Sequence, residues 1–534
     1  MKIFVIGIDG GSFDLIEKFL KEDKLKNLKK FFEKGFIGEI ESTYPSISAC
    51  AWTSFLTSKN PGAHGVFDFR NLNIKLYEMR EAEIIHSGFF KGITFLDYFN
   101  EKGLNVGAIT IPITYPPWKI KDFLVSGFPT PDTKEVFAYP SELKKEIEPL
   151  TENTSIFKGG SEKRVFDELI RLLEIRKKAG IYLYKKYKPF FFIIVLGSAD
   201  RAQHNFYKYI EEKDNYIEKV YIKTDEVIGE FLKILDEDTL VFIMSDHGAR
   251  KRPLKKFNLN FFLKERGFLK EKKTKSLYEP FKEIYRKLKG KFPYQEIVFK
   301  KLPLNLRKIL TKIDTFSETS LFNIDFNKTK AYRFPLYPPV DGIVINLKER
   351  QPKGIVKAED YEKVRINIKE ELEEFSINGI KPIQKVFLRE ELYKGKYSEK
   401  LPDLILLYSD DFEGGSSLNE YISEIDKKDY EKLNGIHSTK GIFFGMGKIL
   451  KEKYKIKGKY TLLDLAPTFL FLSGLPIPEE FEGKVIEEIV KEEYLSKIKL
   501  KREKWGKELI FEEHIFIDKE KKEIEEKLKG WGYM

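Results

Sequence analysis

An α/β protein built on a doubly wound, mostly parallel sheet is predicted by three observations. The apolar runs 2–8, 189–197 and 239–244 have the length and composition of buried strands. Helical patterns separate them, as parallel strands require. An acid follows each run, Asp9, Asp200 and Asp246, and the carboxyl edge of an open α/β sheet is where such folds keep their chemistry.

The elements follow in order. Residues 2–8 form the first strand, and the spacing of Phe13, Leu15, Ile16, Phe19 and Leu20 places a helix after Asp9-Gly10-Gly11. Asp9 alone also reads as a turn aspartate ahead of two glycines. From Ser42 the chain passes through Tyr44-Pro45-Ser46-Ile47-Ser48 into small and apolar residues that suit a helix starting near Ser48. The ordinary reading of Ser46 and Ser48 is N-capping. The functional one is a hydroxyl at a positive helix end, where free N–H groups receive phosphate oxygens. Residues 105–111 are a further strand and 166–187 a long amphipathic helix. Asp200 and His204 stand four apart, so on a helix they share one face and reach one ion. Residues 215–235 are helical, and the strand 239–244 ends on Ser245-Asp246-His247-Gly248, where glycine lets the backbone turn away.

After Arg250 the texture becomes Lys-rich and mostly helical, with helical patterns at 259–266, 281–288 and 306–313. This reads as an insertion over 251–400, a lid or substrate-selecting region, although 342–347 look like a strand and 360–375 a helix. The catalytic core, 1–250, resumes over 401–490 with a buried strand at 402–408, Gly435-Ile436-His437 ahead of a strand at 441–447, and an apolar helix at 461–472. The charged tail 491–534 reads as surface helices.

Composition narrows the function classes. A chain of 534 residues with 42% hydrophobic content is a folded protein of two or three domains. Its net charge of +11 arises from 95 basic and 84 acidic residues, a bias that suits an anionic small molecule and implies no specific nucleic-acid partner. The single cysteine, Cys50, excludes a disulfide framework and a thiolate metal cluster and fits a reducing compartment. The apolar start is too short for a signal-peptide core, and no apolar run reaches a membrane span, so a cytoplasmic protein is expected.

Asp9, Ser48, Asp200, His204, Asp246, His247 and His437 together make an oxygen and nitrogen donor set without thiolate. Such a set suits two divalent ions, Zn2+ first and Mn2+ second. Two ions about 3.5–4 Å apart suit in-line displacement at phosphorus.

At these residues the sequence resembles the alkaline phosphatase superfamily, closest to its type I phosphodiesterase and nucleotide pyrophosphatase branch and the group described as predicted phosphohydrolases or phosphomutases. The resemblance covers residues 1 to about 250 and about 400 to 490. It rests on Asp9-Gly10, Tyr44-Pro45-Ser46-Ile47-Ser48, Pro61-Gly62-Ala63-His64-Gly65, Asp200 with His204, Ser245-Asp246-His247-Gly248 and Gly435-Ile436-His437. It implies an alkaline-phosphatase-like sheet. It also implies one ion on Asp200, His204 and His437, another on Asp9, Asp246 and His247, and Ser48 between them as nucleophile. His64 matches a position outside the metal set, and His86 and His514 match none, so all three read as structural or surface histidines. Where nucleotide diesterases carry Asn and His shortly after the nucleophile, this chain has Ala51 and Trp52, and where they carry a phosphate-holding Asn it has Phe69. Backbone N–H groups near Ala49 would then take more of the phosphate. Neither a sulfatase signature nor the Asn-Ser-Glu pattern of cofactor-independent phosphoglycerate mutases is present, and Cys50 reads as a small buried thiol.

The expected activity is a two-metal phosphohydrolase, a phosphodiesterase or a nucleotide or sugar-nucleotide pyrophosphatase with a phosphoseryl intermediate, acting on a small-molecule phosphoester. Its rivals are a phosphoryl transferase, phosphomutase or phosphomonoesterase on the same site, and a catalytically silent binding protein.

Overall fold

The structure is a computed structural model that describes residues 1–75, 77, 80–131, 137–147, 161–272, 321–497 and 499–533. The helical patterns expected at 281–288 and 306–313 lie outside the described residues.

The apolar runs do form the centre of one large sheet. Ile3–Ile8 pairs in parallel with Leu240–Met244 on one side and Phe191–Leu196 on the other. Val106–Ile111 and Phe123–Ser126 extend the parallel order beyond Phe191–Leu196. Lys440–Met446 runs antiparallel beside Leu240–Met244, which makes the sheet mixed at that edge. Every residue of the three central strands is buried because helices cover both faces, the condition under which strands read as unbroken apolar runs.

Alternation divides the first strand between two cores. Ile3 and Val5 face a cluster with Trp52, Phe55, Phe242 and Phe469, whereas Phe4, Ile6 and Ile8 face one with Phe19, Phe192, Tyr221 and Phe231. The helices Phe13–Lys21, Glu162–Tyr187 and Tyr216–Leu232 pack on the second face, and Ser48–Thr57 and Leu465–Leu472 on the first.

The region after Arg250 departs from expectation. Its described part is organised on a second, antiparallel sheet in the order Ala331–Phe334, Val340–Ile345, Leu404–Tyr408, Ile383–Leu388, with its own apolar core and the helix Tyr361–Glu374. Residues 402–408 therefore belong to this second sheet and not to the main one. The run Leu404 to Leu407 is apolar enough to enter either sheet; its pairing with Val340–Ile345, remote in sequence, decides which. Lys255–Asn258, Phe412–Gly415 and Ile422–Glu424 form a small linking sheet. No helix among the described residues is long and apolar enough to cross a membrane.

Candidate active site

Strand register brings the acids together. Gly7 stands opposite Met244 and Ile8 opposite Leu196, so the three central strands finish level and their next residues meet at one edge. Asp9 follows its strand directly, and Asp246 follows after Ser245. Asp200 lies in the first turn of the helix Ser198–Phe206, and its backbone N–H donates to the Asp9 carbonyl at 3.1 Å. Gly10, at φ +67°, makes this approach possible: a Cβ there would lie 2.9 Å from Asp200 Cβ.

The histidines arrive by two routes. His204 is one turn beyond Asp200 on the same helix face, with Nε2 3.3 Å from Asp200 Oδ1. His437 lies on Gly435–Ser438, which pairs antiparallel with Gly248–Lys251, so the chain leaving His247 holds the strand that presents His437. The two imidazoles stack at 3.5 Å.

All seven side chains are buried, and the three acids and three histidines among them fall into two adjoining groups. In the first, Asp200 Oδ1 and the Nε2 atoms of His204 and His437 are separated by 3.3, 3.4 and 3.1 Å. Those are the edges, about 3.3 Å, that tetrahedral ligands 2.0–2.1 Å from one zinc ion would show. In the second, His247 Nε2 lies 3.3 Å from Asp246 Oδ2 and 3.8 Å from Asp9 Oδ1. Asp9 Oδ1, Asp200 Oδ1 and Asp246 Oδ2 are buried carboxylate oxygens that accept no hydrogen bond. Buried acceptors of this kind are left for a cation, and the donor set fits two divalent ions.

The outer contacts orient these ligands. Nδ1 of His204 faces the Gly435 carbonyl at 2.9 Å, that of His437 the Ser46 carbonyl at 2.6 Å and that of His247 the Gly248 carbonyl at 2.9 Å. A carbonyl only accepts, so each Nδ1 carries the proton and each Nε2 lone pair turns inward. Gly10 N–H donates to Asp246 Oδ1 at 3.2 Å, and Trp52 Nε1 to Asp9 Oδ2 at 3.1 Å.

Electrostatics explains why the site wants positive charge. Burial, then Asp246 and Asp200, pushes Asp9 well above the ordinary carboxylate range, and burial, then Asp200, does the same to Asp246. Burial also acts against the Asp200 anion, but the adjoining His204 and His437 imidazoles outweigh it and hold this carboxyl well below the usual range. His437 is pushed down to about 3 by burial and by His247, so it is neutral, the form that ligates.

Ser48 opens the helix Ser48–Thr57, but Ile47 occupies the cap position and no side chain caps the helix. The capping reading of Ser46 and Ser48 therefore fails. The Ser48 hydroxyl turns instead toward the second ligand group, 3.3 Å from His247 Nε2, and lies 3.3 Å from the Tyr533 hydroxyl. His64 stands apart: its Nδ1 accepts from Val66 N–H and its Nε2 meets Ser54 Oγ at 2.8 Å. His86 and His514 pack together among aromatic rings, and Cys50 is a buried thiol pushed up to about 12 by its burial.

Several residues escape a reading of the sequence. The tail does not end as surface helix: Asp518–Gly530 is followed by Trp531, stacked on Phe128 at 3.6 Å, and by buried Tyr533, whose hydroxyl donates to Asp200 Oδ2 at 3.2 Å. Phe69 supports Tyr533 at 4.7 Å, so the position that differs from nucleotide diesterases seats the tail. Tyr337, from the loop joining Ala331–Phe334 to Val340–Ile345 of the second sheet, packs 4.5 Å from the His437 ring. Arg176 and Arg201 are buried beside Asp9, and burial brings each guanidinium down to about 9. The only sequence signal for the tail was two aromatics, Trp531 and Tyr533, closing a Lys- and Glu-rich segment.

Trp52→Phe removes the N–H that orients Asp9. It is expected to weaken metal binding by about 10- to 100-fold with the fold kept, read by competition with a chelating dye. Parental affinity in the variant would show that Asp9 needs no such support.

A family model described as type I phosphodiesterase/nucleotide pyrophosphatase matches residues 3–424. Phosphonoacetate hydrolase from Sinorhizobium meliloti 1021, solved with phosphonoacetate, is similar in fold at 13% identity over 87% of this chain and 94% of that one, with a TM-score of 0.51. A mutant of the alkaline phosphatase PafA is similar at 14% identity over 92% and 98% of the two chains, with a TM-score of 0.50. Murine ectonucleotide pyrophosphatase/phosphodiesterase 5 aligns at 11% identity over 92% and 100%, with a TM-score of 0.47. No curated protein sequence matches the chain. With the model covering most of its length, the chain belongs to the type I phosphodiesterase/nucleotide pyrophosphatase family, and it is a hydrolase of phosphoric ester or pyrophosphate bonds that carries candidate metal-binding groups.

Proposed function

We propose that the protein hydrolyses a phosphodiester or pyrophosphate bond through a phosphoseryl intermediate on Ser48. The observation that carries this reading is the Ser48 hydroxyl, first in its helix, set against His247 of one ligand group and joined through the Tyr533 hydroxyl to Asp200 of the other. Asp200, His204 and His437 would hold one divalent ion and Asp9, Asp246 and His247 the other, with Zn2+ preferred over Mn2+ for this donor set. When bound, the two ions supply Lewis-acid activation and neutralise charge at phosphorus.

The chain's own groups do the rest. Ser48 Oγ attacks phosphorus in line, the bond to the leaving oxygen breaks, and water then releases the phosphoseryl ester. Trp52 and Gly10 hold the carboxylates in place through the N–H groups described above. First-turn N–H groups near Ala49 face the oxygens of the bound phosphoryl group. Tyr337 brings the second sheet to the edge of the site, which supports a role for that region in choosing the leaving group.

The test is a substrate panel. Bis(p-nitrophenyl) phosphate, sugar nucleotides and phosphomonoesters are supplied under zinc and under manganese, with and without alcohol acceptors. Diester or pyrophosphate cleavage with water as the acceptor is the expected result. Products that consist of acceptor phosphates would replace hydrolysis by transfer.

A further inference from the structure

Resting on the phosphohydrolase reading, we propose that Arg176 and Arg201 form an anion subsite beside Ser48. The substrate then carries an ionised group, phosphate or carboxylate, in addition to the scissile phosphoryl group. Both arginines line the pocket that also exposes Ser48, Asp9 and Asp200. They come from two helices, Glu162–Tyr187 and Ser198–Phe206, and are only 5% and 4% exposed.

Placing two guanidinium groups near one another in a dry pocket is costly unless negative charge faces them. Asp9 faces both arginines, and Asp200 and Glu168 add negative charge at Arg201. Glu168 is itself paired with Arg171, and Asp9 and Asp200 belong to the two ligand groups. With divalent ions on them, the pocket holds an excess of positive charge that a singly charged diester cannot balance. A second ionised group on the substrate does balance it. The planar fork of arginine matches the oxygen pair of a phosphate or carboxylate.

The surroundings are built to hold this geometry. The Trp531 ring lies 3.2 Å from Arg201 Cζ and is itself stacked on Phe128, which fixes the guanidinium plane. Gly197 leaves room for Arg176, since a Cβ there would stand 3.3 Å from its Nη1. Tyr533 closes the same pocket through Ser48 and Asp200. Water excluded by this aromatic wall no longer screens the pairing of charges.

The experiment compares three phosphoryl substrates, two diesters and one anhydride, on the metal-loaded wild type and on the Arg176→Gln, Arg201→Gln double variant. p-Nitrophenyl methyl phosphate carries no additional charge, inorganic pyrophosphate adds a phosphate, and carboxyethyl p-nitrophenyl phosphate adds a carboxylate. On whichever charged arm the wild type prefers, kcat/KM of the double variant should fall about 100-fold further than on the methyl ester. The preferred arm distinguishes phosphate from carboxylate. In parallel, calorimetry follows inorganic pyrophosphate binding to metal-loaded Ser48→Ala protein with and without the arginine changes, and a similar loss of affinity is expected. Equal losses on all arms with unchanged pyrophosphate affinity overturn the subsite and leave the hydrolase reading standing. No turnover of any arm by the wild type sinks the hydrolase reading, while the calorimetry still decides the subsite. Should the double variant not fold, the single variants Arg176→Lys and Arg201→Lys take its place in the pyrophosphate titration. Affinity unchanged in both would also overturn the subsite.

Discussion

Ser48→Ala is expected to lower turnover by at least about 10^3-fold while metal content stays near two ions per chain. The hydroxyl is 3.3 Å from His247 Nε2, yet it makes none of the contacts that orient the ligands: Nδ1 of each histidine is held by a backbone carbonyl, and Asp9 and Asp246 by Trp52 and Gly10. Removing one oxygen therefore takes away the attacking atom and leaves the donor groups in place. Elemental analysis alongside a diesterase assay separates these effects. A variant that hydrolyses esters at the parental rate refutes the nucleophile, and one that loses both metal and activity shows that Ser48 serves to assemble the centre.

Chelation is expected to abolish activity and to lower the melting temperature at neutral pH by on the order of 5–10 °C, followed by calorimetry with and without added zinc. The physical cause is the crowding of three buried carboxyl groups at one sheet edge. In the metal-free protein Asp9 and Asp246 stand well above the usual carboxylate range. An acid raised in this way favours the folded state when protonated. Its contribution is therefore full below the ordinary pKa and is lost as pH climbs through the raised one. Bound cations remove that penalty, so the gap between loaded and chelated protein is widest at neutral pH and narrows toward the carboxylate range. A gap that widens on acidification would contradict this account.

Much of the site was legible because strands and helices convert spacing into direction. An apolar run that stops at an acid states both the strand and its functional end, which is why Asp9, Asp200 and Asp246 stood out. Four residues on a helix place His204 over Asp200, and the structure has that helix. His437 was visible as a histidine ahead of a strand, and its ligand role came from the Gly-Ile-His pattern of the family; nothing local shows that its strand pairs with Gly248–Lys251. The second sheet was harder to read, since Leu404–Tyr408 is apolar enough for either sheet and takes its place from a partner more than 60 residues away.

By itself, then, the sequence determined the parallel centre of the sheet, the three acids at its edge and the donor types that exclude a thiolate cluster. Those properties depend on periodicity and residue chemistry, which any local window contains. Only the tertiary structure decided that Trp52 holds Asp9, that two buried arginines border the pocket and that the last residues, Trp531 and Tyr533, close over it. These contacts join segments that lie from tens to more than 300 positions apart. What places them is the shape left open between packed helices, a quantity that no stretch of chain possesses on its own.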